Sequence, residues 1–415
     1  MSNESTNKIY GRVLAVALGD TLVGTLTLLN SEQTLFAFDD SYINDAKRPT
    51  LSLSYKTATG GLKIQTRPTN TRVPPFFSNL LPEGPLRQLL AQRADVHPDR
   101  EFFLLSALKD DLPGAVVLKV LEIGEVSEVP SIAKNVASSS DNAALRFSLA
   151  GVQLKFSAVM NATGGLTIPA DGVNGKWIVK LPSVRFASVP ENEYSMMQYA
   201  KKIGIDIPEV RLVKTDLIAG LPTNLPENFG TSLAIRRFDR DDAGNRIHIE
   251  DFAQVYGFFP EQKYKRVSYR DMASLLWIES GPEDVAEFIR RLVFNIGIGN
   301  ADMHSKNWSL IYPDRRSPIL SPAYDFVSTI AYLSDRTMGL SLVGKKNMYE
   351  ISTEHFRRLS AKAGLPEKLV MSTVSDTVAR MYDIWKEIKT ELPLSSLVAE
   401  SIEEHMRKVP VMSLK

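Results

Sequence analysis

Two runs rich in Val, Leu and Thr, Gly11 to Leu18 and Thr21 to Leu29, open the chain, with Gly19-Asp20 between them. β-branched and apolar runs parted by such a pair read as two strands joined by a hairpin turn. A shorter strand, Thr34 to Phe38, follows before the polar Asp39-Asp40. Beyond Pro74-Pro75 the period changes: Leu80, Leu81, Leu86, Leu89 and Leu90 recur at helical spacing, and Pro85 suits a first helical turn. Residues 124–144 hold few large apolar side chains and a Ser triplet, which reads as a linker. After it come strands at Leu145 to Ala150 and Lys155 to Met160, joined through Gly151, and a third at Lys176 to Lys180. A helix from about Glu191 to Ile203 would turn Tyr194, Met197, Ala200 and Lys201 to a core, and Leu233 to Phe238 reads as a further strand. In the mainly helical remainder, Pro282 to Ile296 carries one apolar stripe of Val285, Phe288, Ile289, Leu292, Val293 and Ile296. Gly297 and Gly299 are expected to stop that helix and deliver the chain into a polar loop.

These patterns divide the chain into an amino-terminal β-meander plus helix unit (1–123), a linker (124–144), a small α/β lobe (145–240) and a helical lobe (241–415). Length agrees, since 415 residues exceed what one core usually serves. Hydrophobic residues make up 44% and charged residues 23%, so a disordered, collagen-like or coiled-coil chain is excluded. Lys plus Arg (49) nearly balance Asp plus Glu (48), which gives no global pull toward nucleic acid or anionic membrane. The chain has no cysteine, which removes disulfides, Cys-based zinc sites and thiol nucleophiles. The five histidines lack metal-ligand spacing. The polar start and the lack of a long apolar run point to a cytoplasmic protein.

Candidate chemistry lies in the loop after the Pro282 helix. Asp302 and Asn307 are separated by four residues, the spacing of the Asp and Asn in protein-kinase catalytic loops. A carboxylate there can accept the proton of an attacking hydroxyl, and a carboxamide oxygen five residues on can ligate magnesium. Asp325, after Pro322-Ala323-Tyr324, supplies a second metal-binding oxygen. In the small lobe, Lys180 ends a strand and could reach ATP phosphates, while Glu191 or Glu193 on the next helix could hold it in place. Gly151 could let the backbone close over phosphates. A Walker-type P-loop is rejected, because Gly151 to Ser157 lacks the second glycine and the Lys-Ser pair. Glycine hairpin, strand lysine, helix glutamate, middle strand, Asp-x4-Asn and Asp follow one another in the order of kinase parts.

At these residues the sequence resembles the HipA family, the kinase toxins of bacterial type II toxin–antitoxin pairs. Ser148 to Lys155 is similar to S-x-A-G-x-Q-x-K, Trp177 to Pro182 to the family's strand lysine, and Glu191 to Tyr194 to its N-E-Y helix start. Ala234 to Arg240 resembles E-R-F-D-R, Gly299 to Asn307 resembles G-N-x-D-x-H-x-K-N, and Tyr324-Asp325 its metal-binding Y-D. Pro75 to Gly84 is similar to F-F-x-N-L-L-P-[DE]-G, and Pro113 to Val116 to P-G-A-V. The resemblance implies an α+β chain: a β-rich amino-terminal subdomain, then a two-lobed protein-kinase-like fold with a mainly helical carboxyl-terminal lobe. It implies ATP and Mg2+ as cofactors, Asp302 as catalytic base, and Asn307 and Asp325 as metal ligands. The nucleotide would be bound by Ala150, Gly151, Val152, Gln153, Leu154, Lys155, Lys180, Arg236, Arg237, Phe238, His304, Ser305, Lys306, Asn307, Tyr324 and Asp325, with Glu193 positioning Lys180. Ser148 would be the autophosphorylated serine that switches the kinase off. Expected partners are a small HipB-like helix-turn-helix antitoxin, operator DNA through it, and a protein substrate, with aminoacyl-tRNA synthetases as the family precedent. Arg236 stands where the family often has Glu, so a local salt bridge is expected to differ. A non-catalytic co-repressor subunit, or a kinase acting on a lipid or small molecule, are the competing readings.

Overall fold

A computed structural model describes residues 12–29, 32–109, 112–121, 155–160, 166–168, 175–221 and 229–414. The linker, the strand at Leu145 to Ala150, Ser148, and the Ala150–Leu154 part of the nucleotide-covering segment lie outside the described residues.

Strand β1 (Val13–Leu18) turns Leu14, Val16 and Leu18 inward and leaves alternate positions partly exposed, as a sheet with one covered face requires. It pairs antiparallel with β2 (Thr21–Leu28) through the expected hairpin, where Gly19 takes a positive φ of 56°. With β3 (Gln33–Phe38), β4 (Thr69–Asn70) and β5 (Val116–Leu121) the order is β4-β3-β2-β1-β5. Helices α1 (Asp40–Asn44), α2 (Pro75–Ser78), α3 (Gly84–Arg93) and α4 (Glu101–Ala107) accompany this sheet, and Phe36, Phe76, Phe77 and Phe102 are fully buried in its core. Leu80 and Leu81 fall in the turn between α2 and α3 rather than inside one helix. Pro82 is the reason, since it disfavours helical backbone at the residue before it.

A second sheet has the order β7-β6-β8-β10-β9, from β6 (Lys155–Met160), β7 (Leu166–Thr167), β8 (Trp177–Lys180), β9 (Val210–Lys214) and β10 (Thr231–Arg236). Helix α5 (Val189–Lys202) packs on it through Met196, Met197, Tyr199 and Ala200, with Asn192 and Glu193 on the same buried side. Tyr194 is only partly buried and Lys201 is exposed, so the expected core face is rotated. Pro190 fixes the first turn and sets that phase.

The remainder holds β11 (His248–Asp251), α6 (Phe252–Val255), α7 (Tyr269–Glu279), α8 (Pro282–Ile298), β12 (Ser309–Tyr312), β13 (Ile319–Leu320), the hairpin β14 (Thr337–Leu342) and β15 (Lys345–Asn347), and α9 (Thr353–Ala363), α10 (Glu367–Ile388) and α11 (Ser396–Lys408). All six predicted stripe residues of α8 are fully buried. Gly297, expected to stop this helix, lies inside it, and its missing side chain admits Met381 of α10: an added Cβ would meet Met381 Cε at 2.5 Å. Gly299 alone makes the stop, with φ 69° and ψ 45°.

The amino-terminal unit docks on this lower part through backbone and charge. The Gly114 amide donates to Asp239 Oδ2 at 2.8 Å, and Arg240 donates to the carbonyls of Gly114 and Leu112 at 3.1 and 3.2 Å. The Leu53 amide donates to the buried Glu250 Oε1 at 3.0 Å. Lys56 pairs with Glu279 at 2.6 Å.

Candidate active site

The Gly299 stop throws the chain into the loop Asn300 to Trp308. Asn300 is buried there and fastens three things: its Nδ2 donates to Asn295 Oδ1 at 2.8 Å and to the Asp325 carbonyl at 3.2 Å, and its Oδ1 accepts the Asp302 amide at 3.0 Å. The Asp302 carbonyl then accepts from the His304 amide at 2.8 Å and from Asn307 Nδ2 at 2.8 Å. With its nitrogen so used, the Asn307 carboxamide keeps its oxygen for another partner. Asn307 and Asp325 line the same cleft, with Asn300, Met303 and Tyr324. Asp302 is exposed, and its Oδ1 accepts from the Tyr264 hydroxyl at 2.5 Å. The His304 ring stands edge-on to Tyr264 at 5.0 Å between centroids, and burial holds its pKa below the ordinary value.

Lys180 enters the cleft from β8. Its ammonium donates to Glu193 Oε1 at 2.6 Å and also contacts Asp325 Oδ1. Glu193, not Glu191, is thus the helix carboxylate on the lysine. It is fully buried, whereas Glu191 is partly exposed. Burial would pull the Lys180 pKa down, but the two carboxylates outweigh it and the ammonium is held above its usual range. Burial pushes the Glu193 carboxyl up to about 7 even beside Lys180. For Asp325 the balance tips the other way: Lys180 and Lys155 hold it well below the usual carboxylate range despite burial. Asp325 also sits at φ 60°, in the left-handed region that aspartate tolerates better than most residues. Lys155 faces Lys180 directly across the β6–β8 pair, so both side chains leave the same side of the sheet. Lys155 as a residue is exposed, but desolvation of its ammonium beside Lys180 and Lys306 lowers its pKa, and Asp325 opposes this.

Other predicted nucleotide residues are differently engaged. Lys306 donates to Asn79 Oδ1 at 2.9 Å, to the Asn79 carbonyl at 3.2 Å and to Asp251 Oδ2 at 2.9 Å. Arg237 is buried on Asp239, at 2.9 and 2.8 Å. Arg236 pairs with Asp242 and lies 3.9 Å from Glu209. Phe238 and Tyr324 bring their rings to 5.8 Å, and the Tyr324 hydroxyl donates to the Lys306 carbonyl at 3.0 Å. Ser305 donates through its hydroxyl to the Lys263 carbonyl at 3.0 Å.

Tyr264 and Lys263 escaped the sequence reading, since a Lys-Tyr pair in a loop has no spacing that points to a site. Comparison with known proteins gives the family and the fold. Residues 14–119 match the HipA N-terminal domain and residues 147–385 the HipA-like C-terminal domain. The chain belongs to the HipA family. "Putative kinase Y4dM" of Sinorhizobium fredii is 53% identical over 95% of this chain and 96% of its own. The serine/threonine-protein kinase toxin HipA of Shewanella oneidensis is 25% identical over 92% of this chain and 90% of its own. The fold is that of the solved S. oneidensis HipA, determined with HipB and operator DNA: TM-score 0.72 at 21% identity, covering 97% of this chain and 96% of that one. The expected β-rich front and helical end are therefore those of the HipA fold.

Proposed function

We propose that this HipA-family chain is a serine/threonine protein kinase toxin that uses ATP with Mg2+ and is neutralised by a DNA-binding antitoxin. One observation carries the reading: Lys180 touches Glu193 and, across 145 residues of sequence, Asp325. A lysine between a helix glutamate and a metal-binding aspartate is the arrangement on which kinases hold the α- and β-phosphates. Asp302 is exposed on the loop between Asn300 and Met303, both of which line the cleft, and its carboxylate orients the acceptor hydroxyl and takes its proton. Asn307 and Asp325 offer hard oxygen donors on one cleft, which suits a magnesium ion that keeps most of its shell for water and phosphate. When bound, magnesium-ATP supplies the phosphoryl group and neutralises its charge. Arg236 to Phe238 border the adenine, and Ser148 is the site of self-inactivating phosphorylation.

The relative crystallised with HipB and operator DNA supports a helix-turn-helix antitoxin and operator DNA as partners here. The substrate class is a cytoplasmic protein, with aminoacyl-tRNA synthetases as precedent. No described helix is long and apolar enough to cross a membrane.

Incubation of the purified chain with Mg2+ and labelled ATP tests this. Wild type is expected to label itself at Ser148, and Asp302→Ala to lose about 10²–10⁴-fold in rate. Equal labelling by wild type and Asp302→Ala would remove Asp302 from the chemistry.

A further inference from the structure

An ammonium group has three protons to donate, and Lys306 has used all of them on Asn79 and Asp251. Asn79 belongs to the amino-terminal unit, which carries no catalytic signature of its own. Its Nδ2 in turn donates to the Phe258 carbonyl at 2.9 Å, so Asn79 is bonded on both sides to the lower lobe. Four residues on, Glu83 reaches the same place. It pairs with Lys263 at 2.9 Å and stands 3.7 Å from Lys306. Lys263 is itself bonded to the catalytic loop, because its carbonyl accepts both the amide and the hydroxyl of Ser305 at 3.2 and 3.0 Å. Two routes therefore run from one amino-terminal turn to the loop that bears Asp302 and Asn307. The Lys306 route is the better shielded: the Lys306 and Asp251 side chains are 14% and 12% exposed, against 22% and 35% for Lys263 and Glu83.

We propose that Asn79 and Glu83 are positioning residues of the kinase site, holding the catalytic loop through Lys306 and Lys263 and making the amino-terminal unit part of the catalytic machinery. The proposal rests on the kinase reading for its effect on rate, but not for its effect on the loop. Misplacing a catalytic group by a fraction of its working distance lowers turnover more than it lowers nucleotide affinity. Glu83 keeps its carboxyl ionised: burial is outweighed by Lys306 and Lys263.

Full-length Asn79→Ala and Glu83→Gln are compared with wild type and with Lys56→Met, which breaks an ion pair between the same two units away from the site. Hydrogen exchange across residues 299–308 and steady-state phosphorylation are measured, with melting temperature as the check on folding. Both site variants are expected to exchange in this segment about tenfold faster, while Lys56→Met leaves it unchanged. Both should lower kcat about tenfold with KM for ATP within about threefold, and Glu83→Asp should recover most of the rate. Unaltered exchange in the two site variants, or equal acceleration by Lys56→Met, would overturn the proposal. Wild type inert toward ATP would defeat the kinase reading alone, and the exchange result would still decide whether the loop is held. Accelerated exchange with unchanged kcat would also count against it.

Discussion

Lys180 satisfies two carboxylates with one ammonium, and only one of them can afterwards be released to a metal. Lys180→Met keeps the stem but leaves Glu193 and Asp325 without the ammonium between them, with Lys155 left as the nearby cation. Labelled-ATP transfer should fall by at least about 10²-fold, and nucleotide binding measured by calorimetry should weaken, because the group proposed to hold the phosphates is gone. The pairing was half legible beforehand. Lys180, Asp302, Asn307 and Asp325 stand out by residue type and order, whereas the choice between Glu191 and Glu193 turns on helix phase. Positions two apart on a helix point to nearly opposite sides, so only one could face inward. Tyr264 was invisible for a different reason: its contact with Asp302 joins separate loops and follows no local period.

Among elements, α8 and β14 set the catalytic loop from two sides. Gly339 of β14 lies so close that an added Cβ would stand 2.9 Å from the His304 nitrogen and the Met303 carbonyl carbon. Gly339→Ala must therefore push the loop, and its phosphorylation rate should drop about tenfold, more than any fall in melting temperature would suggest. Gly299→Ala is expected to cost stability directly. Its left-handed φ and the 2.6 Å approach of Ile330 argue for a loss of about 1–3 kcal/mol, read by denaturant unfolding. The apolar stripe made the start and body of α8 readable, because its six positions recur on one face, but it did not show that Arg291 to Ile298 are buried all round. Gly297 was misread because a glycine's low helix propensity is outweighed here by the closeness it gives Met381.

For the whole molecule, docking of the amino-terminal unit links stability to pH. Buried Glu250, which accepts the Leu53 amide, has its carboxyl pushed up to about 7 by burial. The folded state then holds a proton that the unfolded state releases above its ordinary pKa near 4.5, so this group's contribution is lost as pH rises toward 7. His248 acts with the opposite sign: burial lowers its pKa to about 4, so its contribution is lost as pH falls from its ordinary 6.5. The two partly cancel in wild type. Glu250→Gln should expose the first, with the stability difference from wild type moving in the variant's favour by up to about 1.4 kcal/mol per pH unit between pH 4.5 and 7. Urea midpoints at a series of pH values measure it. None of this docking could be read along the chain, since Gly114 and Asp239 are 125 residues apart and nothing in the two motifs that hold them pairs one with the other.

That Gly114 contact has a practical corollary. Asp239 and Arg240 are buried and take backbone partners from the segment just before residue 116, so a fragment beginning after the linker would keep the Arg237–Asp239–Arg240 cluster but strip it of those partners and open it to water. Anyone trimming the gene to a minimal phosphotransferase should expect insoluble material, and would do better to split the chain and express both halves together.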